Sequence, residues 1–160
     1  MTSRLRVQAR RLGVVLALVL GPGLVAVAPS AEAALPNAAR LAAYEARVIG
    51  LINVYRARSH RAGLAASACP DRYAESWAAH LGSTGRFYHQ SLTPILRGCR
   101  ATRVAENLAR GNVSEDRIVA MWMASPGHRA NILDARLTRI GVAAVYARGQ
   151  WTVVADFARF

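Results

Sequence analysis

Lysine is absent from this sequence of 160 residues, and all 21 of its basic side chains are arginine. It has only two cysteines and no Cys-x-x-Cys spacing, which argues against a structural zinc site built on cysteine pairs. It also lacks a His-Glu-x-x-His helix and a Gly-x-Ser-x-Gly turn, the signatures of zincin-type metalloproteases and of α/β-hydrolases. No internal repeat or low-complexity tract is present, so we expect one ordinary domain.

Long apolar runs are scarce as well, and the clearest one, Leu12–Leu20, follows four arginines near the start of the chain. Gly21-Pro22-Gly23 interrupts it well short of the ~20 apolar residues that a membrane-spanning helix needs. Ala31-Glu32-Ala33 then fits a small-residue cleavage site. We therefore predict an export signal over residues 1–33 that is cleaved after Ala33, so that no transmembrane anchor remains. Arg10-Arg11 would also suit a twin-arginine signal, which leaves the export route open.

Cleavage would leave residues 34–160, which we divide into a short lead-in at 34–40 and a single domain at 41–160. This part has 17 arginines and eight acidic residues, a net charge of +9. Arginine without lysine, beside abundant alanine, is typical of the coding bias of a GC-rich genome. The alternative is attraction to anionic components of the cell envelope. We expect no nucleic-acid partner, because the chain is exported and contains no recognisable nucleic-acid-binding motif.

The two cysteines are Cys69 and Cys99. In the oxidising compartment that an export signal implies, an even pair predicts a disulfide. It would close a loop of about 31 residues and stabilise the fold by roughly 3–4 kcal/mol on the chain-entropy model. Pairing would consume both thiols and exclude a cysteine nucleophile. A two-cysteine metal site is the alternative.

Apolar spacing predicts helices over residues 41–58 and 71–82. Residues 92–103 are expected to be irregular. A third helix should begin after Ser114, a good N-cap, and bury Ile118, Met121 and Trp122.

The C-terminal part of the sequence predicts a β-hairpin. Ile140, Val142, Ala144 and Tyr146 alternate on one face, as do Trp151, Val153, Ala155 and Phe157, and Arg148-Gly149 between the two sets suits a tight turn. Helices followed by an antiparallel hairpin indicate an α+β layered domain.

The most unusual local chemistry follows the third helix. Ser125-Pro126-Gly127 should end that helix, because proline displaces the residue before it from helical geometry and glycine permits a sharp turn. If a helical turn restarts at His128, then Asn131 and Ile132 share its face. The polar side chains of His128 and Asn131 would then lie beside the apolar side chain of Ile132. Packing of Ile132 would hold His128 rigidly over a cleft. A solvated loop histidine is the alternative.

Two more residues are candidates for a site. Glu106 lies in an apolar segment, and a buried carboxylate requires a partner. If that partner is a nearby arginine, the role of Glu106 is structural only. His89 stands between aromatic residues and a serine. His60 and His80 are expected at the surface.

Several segments together resemble the CAP superfamily, in the same order along the chain. This is the secreted SCP-like domain shared by cysteine-rich secretory proteins, insect antigen 5 and plant pathogenesis-related 1 proteins. The similarity covers roughly residues 44–158, and the run from Ser125 to Leu133 looks like the bacterial branch. The matching residues are His89 with Ser91, Glu106-Asn107-Leu108, Trp122, Gly127-His128, Asn131, the hairpin that contains Trp151, and Ile52-Asn53-x-x-Arg56.

The resemblance implies a three-layer α-β-α sandwich with a central antiparallel sheet. It also implies a cleft with two histidines and two acids, which binds zinc in some members. His89 and His128 match the histidines and Glu106 matches the first acid. The second acid usually falls three residues after the tryptophan, where this chain has Ser125, a departure that bacterial relatives often share. We therefore expect no required cofactor and only weak zinc binding, through His89, His128 and Glu106.

The resemblance implies mostly non-enzymatic roles, so we favour a secreted binding module. Its cleft, at His89, Glu106, His128 and Ser125, would hold a small lipid-like or peptide ligand. The first alternative is a hydrolase acting outside the cytoplasm, through zinc-activated water or through Ser125 with a histidine base. The second is a satisfied polar network that only fixes the fold. Asn107, Trp122 and Asn131 are expected to have structural roles.

Overall fold

The computed structural model of the chain describes residues 36–160, so the export signal expected over residues 1–33 lies outside the described part. Within residues 36–160, no helix is both long and apolar enough to cross a bilayer. The elements follow in the order α1 (Ala38–Arg58), β1 (Ala65–Ala66), α2 (Ala68–Thr84), α3 (Thr93–Gly98), β2 (Arg103–Gly111), α4 (Glu115–Ala124), α5 (Pro126–Leu133), β3 (Arg139–Ala147) and β4 (Gln150–Arg159).

The four strands form one sheet in the order β1–β3–β4–β2. β4 pairs antiparallel with both of its neighbours, β3 and β2. β1 differs from the antiparallel expectation, because its two residues, Ala65 and Ala66, pair with β3 in parallel. The expected hairpin is present: Arg148 and Gly149 connect β3 to β4 with φ angles of 53° and 75°, and two positive φ angles are what a tight hairpin turn of this hand requires.

Helices cover both faces of the sheet. Successive residues of a strand point to opposite faces, so Val142 and Val153 join the core beneath α1, α4 and α5, whereas Ala143 and Val154 join the core beneath α2. The three-layer α-β-α sandwich is therefore confirmed.

Helix α2 approaches β3 closely because Gly141 has no side chain. A Cβ atom at Gly141 would lie 2.1 Å from the backbone nitrogen of Asp71. Backbone atoms at this distance cannot move aside as a flexible side chain could. Gly141 therefore determines how closely helix α2 packs on the sheet.

Helix α1 begins at Ala38, three residues before the predicted start, so residues 38–40 are helical and not part of a lead-in. The reason is Asn37, whose side-chain oxygen accepts a hydrogen bond from the amide of Arg40 at 2.9 Å and caps the helix. Helix α2 likewise begins earlier than predicted, at Ala68, with Pro70 in its first turn, where the missing amide hydrogen needs no partner.

Two further expectations need correction. Residues 92–103 are not wholly irregular, because they contain α3, which has Pro94 in its first turn. Met121 is 40% exposed, and the buried face of α4 consists of Ile118, Val119 and Trp122. The predicted N-cap is confirmed, since Ser114 accepts a hydrogen bond from the amide of Arg117.

The predicted disulfide between Cys69 and Cys99 is confirmed, with Cα atoms 5.7 Å apart. Cys69 lies in the first turn of α2 and Cys99 caps the end of α3. The bond therefore ties helix α2 to the segment that leads into β2.

Side chains from the helices reach both outer edges of the sheet. On the β3 edge, the amides of Val142 and Ala144 donate to the carboxylates of Asp71 and Glu45, at 3.1 Å and 2.9 Å. On the β2 edge, the carbonyl of Leu108 accepts the indole N–H of Trp122 at 2.8 Å. Backbone groups left unpaired by the strands thus find partners in the helical layers.

Candidate functional site

Glu106 and Asp156 are cross-strand partners in the middle of β2 and β4, and both are buried, with 5% and 0% of their surface exposed. Residues that face each other on adjacent strands project to the same side of the sheet. The fold therefore places two carboxyl groups next to each other away from solvent, where charge is unfavourable unless it is compensated.

The first partner of Glu106 is His89, from the loop between α2 and α3. Its Nδ1 lies 2.5 Å from Oε1 of Glu106, and the carboxylate is the acceptor of this bond. The side chain of His89 is 62% exposed, whereas that of Glu106 is 2% exposed. A buried carboxylate thus fixes the orientation of an accessible imidazole, whose Nε2 makes no hydrogen bond to another residue of the described range 36–160. The partner is a histidine, not the arginine that the sequence left as an option.

The second partner of Glu106 is the side-chain amide of Gln90. Its nitrogen donates to Oε2 of Glu106 at 2.7 Å and to both carboxyl oxygens of Asp156, at 3.1 Å and 2.9 Å. Burial, together with the nearby charge of Glu106, raises the pKa of Asp156 to about 8, although the Gln90 bond opposes the shift. The raised pKa means that Asp156 favours its protonated, neutral form at this buried position.

The sequence interpretation missed both Gln90 and Asp156. Asp156 carried little signal, because it falls on the face of the strand opposite Val153, Ala155 and Phe157, where a polar residue is expected if only one face is buried. Gln90 carried no comparable signal, being one polar residue within a polar loop.

His128 lies on α5, which begins at Pro126, so the helix restarts two residues earlier than expected. The His128 and His89 rings approach with centroids 6.5 Å apart. Burial, and to a smaller extent the neighbouring His89, lowers the pKa of His128. The structure therefore brings the two predicted histidines together, with His128 favouring its neutral form.

Asn107 and Asn131 hold α5 against β2. The amide of Asn131 donates to the carbonyl of Glu106 at 3.1 Å and to Oδ1 of Asn107 at 2.9 Å, and the amide of Asn107 donates to the carbonyl of His128 at 3.1 Å. Ile132, the expected apolar anchor, is fully buried. These bonds fix the backbone that carries both His128 and Glu106.

A cleft of about 280 Å³ opens beside this network. Its lining is partly polar and partly apolar, with the polar residues His89, Gln90, Glu106 and Asn131 and the apolar residues Leu92, Val104 and Ala105. Ser125 and His128 do not line this cleft; Ser125 is the N-cap of α5, and its side chain makes no capping bond. Larger concavities of about 360 and 390 Å³ occur elsewhere, but no histidine lines either of them.

The described residues fit a metal site poorly. Residues 36–160 contain no group of three or more His, Cys, Asp or Glu side chains arranged to hold an ion. Both oxygens of Glu106 are already engaged, one by His89 and one by Gln90. Glu106 thus holds an imidazole by a hydrogen bond, which leaves two imidazoles as available ligands, fewer than the three protein ligands of catalytic zinc sites.

The two histidines expected at the surface differ from each other. His60 is exposed. His80 is half-buried, because its ring stacks on Trp77 with centroids 4.8 Å apart and its Nε2 lies 2.7 Å from the hydroxyl of Tyr88. Neither residue contributes to the cleft.

Comparisons with known proteins agree with this geometry. A family model described as the cysteine-rich secretory protein family, CAP, matches residues 49–157. An uncharacterized Bacillus subtilis (strain 168) protein, YkwD, is 30% identical over 119 residues, which cover 70% of this chain and 46% of that protein. The chain therefore spans about half the length of this curated relative.

Solved structures of bacterial proteins share the fold. An extracellular protein from Bacillus anthracis str. Ames that contains an SCP domain matches with a TM-score of 0.67 and 21% identity, over 78% of this chain and 44% of that one. An outer surface protein from Borrelia burgdorferi matches with a TM-score of 0.63 and 21% identity, over 70% of this chain and 89% of that one.

Proposed function

Because this chain belongs to the cysteine-rich secretory protein (CAP) family, as its sequence motifs predicted, we propose that it is an exported binding module. Its ligand is a small amphipathic molecule, a lipid or a short peptide, held in the cleft beside His89, Glu106 and Asn131. The observation that carries this proposal is an accessible imidazole, fixed by a buried carboxylate, in a cleft whose lining also includes apolar residues.

The mixed lining of the cleft supports an amphipathic ligand. Leu92, Val104 and Ala105 offer contacts to an apolar chain. His89 offers a hydrogen bond to a polar group of the ligand. A cleft of about 280 Å³ is near the lower end of the volumes usual for small-molecule sites, so the ligand is small or only partly enclosed.

Export is supported by two observations. The disulfide Cys69–Cys99 is of the kind that persists in oxidising compartments. The similar solved structures include proteins described as extracellular and as an outer surface protein. An export signal over residues 1–33 would deliver the chain to such a compartment.

The experiment is mass spectrometry of organic extracts from the purified exported protein. Wild type should carry an enriched small molecule, which His89→Ala and Leu92→Ala should lose while their melting temperatures show that they are folded. His60→Asn is the matched control, because it removes a histidine outside the cleft and asparagine tolerates the φ of 53° at that position. An identical extract from all four proteins, or no enriched molecule in wild type, would refute the binding role.

A hydrolase is the second candidate, and the Glu106–His89 bond is the observation that favours it. A carboxylate on Nδ1 leaves Nε2 free to accept a proton from water or from a substrate. The serine route has less support, because Ser125 makes no hydrogen bond to a histidine within residues 36–160. Hydrolysis of an activated ester by wild type and by His89→Ala decides the matter, since equal rates would remove His89 as a base.

A further inference from the structure

The end of the sheet opposite the β3–β4 hairpin collects basic side chains. Because β4 is antiparallel to both of its neighbours, β2 and β3 start where β4 finishes. Three segments meet there, residues 97–103, 134–139 and 158–160. They contain a single acidic side chain, Asp134. They also contain six arginines, which we call the arginine end: Arg97, Arg100, Arg103, Arg136, Arg139 and Arg159.

The strand register places some of these arginines against each other. Arg103 and Arg159 are cross-strand partners, so their side chains leave the same face of the sheet. Arg139 pairs with Ala158, the neighbour of Arg159, and therefore leaves the opposite face. Like charges directly opposite each other on two strands are unfavourable unless they are neutralised. This end of the sheet is therefore positively charged on both of its faces.

Asp134 does not neutralise this charge. Its carboxylate already accepts from Arg103 at 2.8 Å and from Arg136 at 2.9 Å. Arg139 and Arg159 are exposed, and neither forms an ion pair with another residue of the described range 36–160. The arginine end thus keeps an uncompensated positive charge, which a negatively charged partner would neutralise.

The hairpin end of the sheet has a different balance of charge. It lies roughly 27 Å from the arginine end, along the nine residues of β2 at the usual rise per residue. Arg47 pairs there with Asp116 at 3.1 Å, and Arg40 shares the lining of a surface pocket with Glu115. Arginines at the hairpin end therefore have carboxylates beside them, so the arginine end is the more basic of the two.

Exposed apolar side chains adjoin the arginine end. Leu96, which is 37% exposed, precedes Arg97 in α3, and Phe160, which is 51% exposed, follows Arg159. On an anionic bilayer, arginines contact the phosphate groups while apolar side chains insert below the headgroups. A soluble polyanion would engage the arginines alone. The combination of arginine with exposed leucine and phenylalanine therefore favours a bilayer as the partner.

We propose that the arginine end docks the protein on a membrane surface that contains anionic phospholipid. Clusters of four to eight basic residues are the usual size of such docking surfaces. The proposal concerns a surface and not a cleft, so it stands whether or not a ligand occupies the cleft beside His89.

The test is sedimentation of the exported protein with vesicles of phosphatidylcholine, prepared with and without phosphatidylglycerol. The protein should sediment with the vesicles that contain phosphatidylglycerol and stay in solution with the neutral ones. High salt should release it, because exposed charges are screened. Equal binding to the two kinds of vesicle, or binding to neither, would overturn the proposal.

Two matched pairs of substitutions separate the arginine end from the total charge of the protein. Arg139→Gln with Arg159→Gln should weaken vesicle binding at least about tenfold, since two basic contacts with the anionic surface are lost. Arg40→Gln with Arg117→Gln removes the same charge at the hairpin end and should change binding by less than about threefold. Melting temperatures show that all variants are folded. If the two pairs weaken binding equally, the arginine end is not the docking surface.

Leu96→Ala separates a bilayer from a soluble polyanion. It removes an exposed apolar side chain without changing the charge, so vesicle binding should weaken while binding of polyphosphate stays the same. Met121→Ala is its control, because Met121 is similarly exposed, at 40%, but lies on α4 outside the arginine end. If Leu96→Ala binds vesicles as tightly as wild type, and only the Arg139 and Arg159 pair loses polyphosphate, the partner is a soluble polyanion and the membrane proposal fails.

Discussion

Glu106 and Asp156 lie opposite each other on β2 and β4, and one side-chain amide, that of Gln90, donates to both carboxyl groups. No arginine takes part in the hydrogen bonds described for this pair, so the arrangement is stable only if one acid keeps its proton. The protonated acid is Asp156, which is the more deeply buried of the two. Glu106 is then free to serve as the acceptor for His89.

Asp156→Asn should flatten the dependence of stability on pH. The pKa of Asp156 is about 8 in the folded protein, whereas the unfolded chain releases this proton near the ordinary aspartate pKa of 3.8. Wild type should therefore lose stability as pH rises between these values, by a few kcal/mol in total. Urea unfolding at several pH values measures this, and parallel curves for wild type and Asp156→Asn would contradict it.

Asp134 provides a control of opposite sign for that experiment. Hydrogen bonds from Arg136 and Arg103 hold the pKa of Asp134 well below its usual range. Its contribution to stability is therefore present above the ordinary aspartate pKa of 3.8 and is lost as the pH falls further. Asp134→Asn should be less stable than wild type near neutral pH, and the difference should shrink in acid.

Trp122→Ala should destabilise the fold by about 3–5 kcal/mol, because a large buried side chain is lost. Trp122 is 1% exposed and donates its indole N–H to the carbonyl of Leu108. Met121→Ala, on the exposed side of the same helix, is the matched control and should change stability by less than about 1 kcal/mol. Thermal melts of the two variants measure the contrast, and similar losses would mean that the buried face of α4 is assigned wrongly.

Asn131→Ala should destabilise the protein by roughly 1–3 kcal/mol, because it leaves the carbonyl of Glu106 and the side chain of Asn107 without their donor. If the loss acts through stability, ligand binding by the folded fraction should be retained. Denaturant unfolding gives the first quantity, and binding at a temperature below the melting transition gives the second. Lost binding with unchanged stability would assign Asn131 a direct role in the site.

Reduction of the disulfide should add two hydrogen masses to the exported protein and destabilise it by about 3–4 kcal/mol, since the bond closes a loop with a sequence separation of 30 residues. Intact-mass measurement with and without reductant tests the bond, and also shows whether the exported chain begins near Ala34. Cys69→Ser with Cys99→Ser should melt lower than wild type. Two free thiols in the exported protein would contradict the structure.

Zinc should bind weakly and contribute nothing to folding, since His89 and His128 are the residues of this site, within the described range 36–160, that keep uncommitted ring nitrogens. A chelator should leave the melting temperature unchanged. Calorimetric titration should show weak binding that disappears in His128→Ala and weakens as pH falls, because a protonated imidazole cannot ligate a metal. Equal affinity in wild type and His128→Ala would place any metal elsewhere.

Much of this architecture was predictable from local patterns. The alternation over Ile140–Tyr146 and Trp151–Phe157, with Arg148-Gly149 between, was enough to predict the hairpin. The motifs around His89, Glu106 and His128 indicated side chains that the fold does bring close together. The two-residue β1 and the six-residue α3 were missed, because elements of this length carry too little periodicity to detect.

The acids and amide beneath the cleft were harder to foresee. Gln90 and Asp156 are 66 residues apart in sequence, and their contact depends on how β4 is placed next to β2. Alternation within a strand indicates which face a residue occupies, but it does not give the register between strands. A single sequence therefore offered no physical reason to connect them.

The helical side chains that cover the free edges of β3 and β2 have a consequence for how the protein behaves at high concentration. A strand with free backbone groups is a template on which another chain can build, which is how many domains swap segments or form fibrils. Here Asp71 and Glu45 occupy the amides of β3, and Trp122 and Asn131 occupy carbonyls of β2. An intruding strand would have to displace carboxylates on one side and a whole packed helix on the other. The folded chain should thus stay monodisperse at high concentration, and aggregation should begin only once a helix has detached from the sheet.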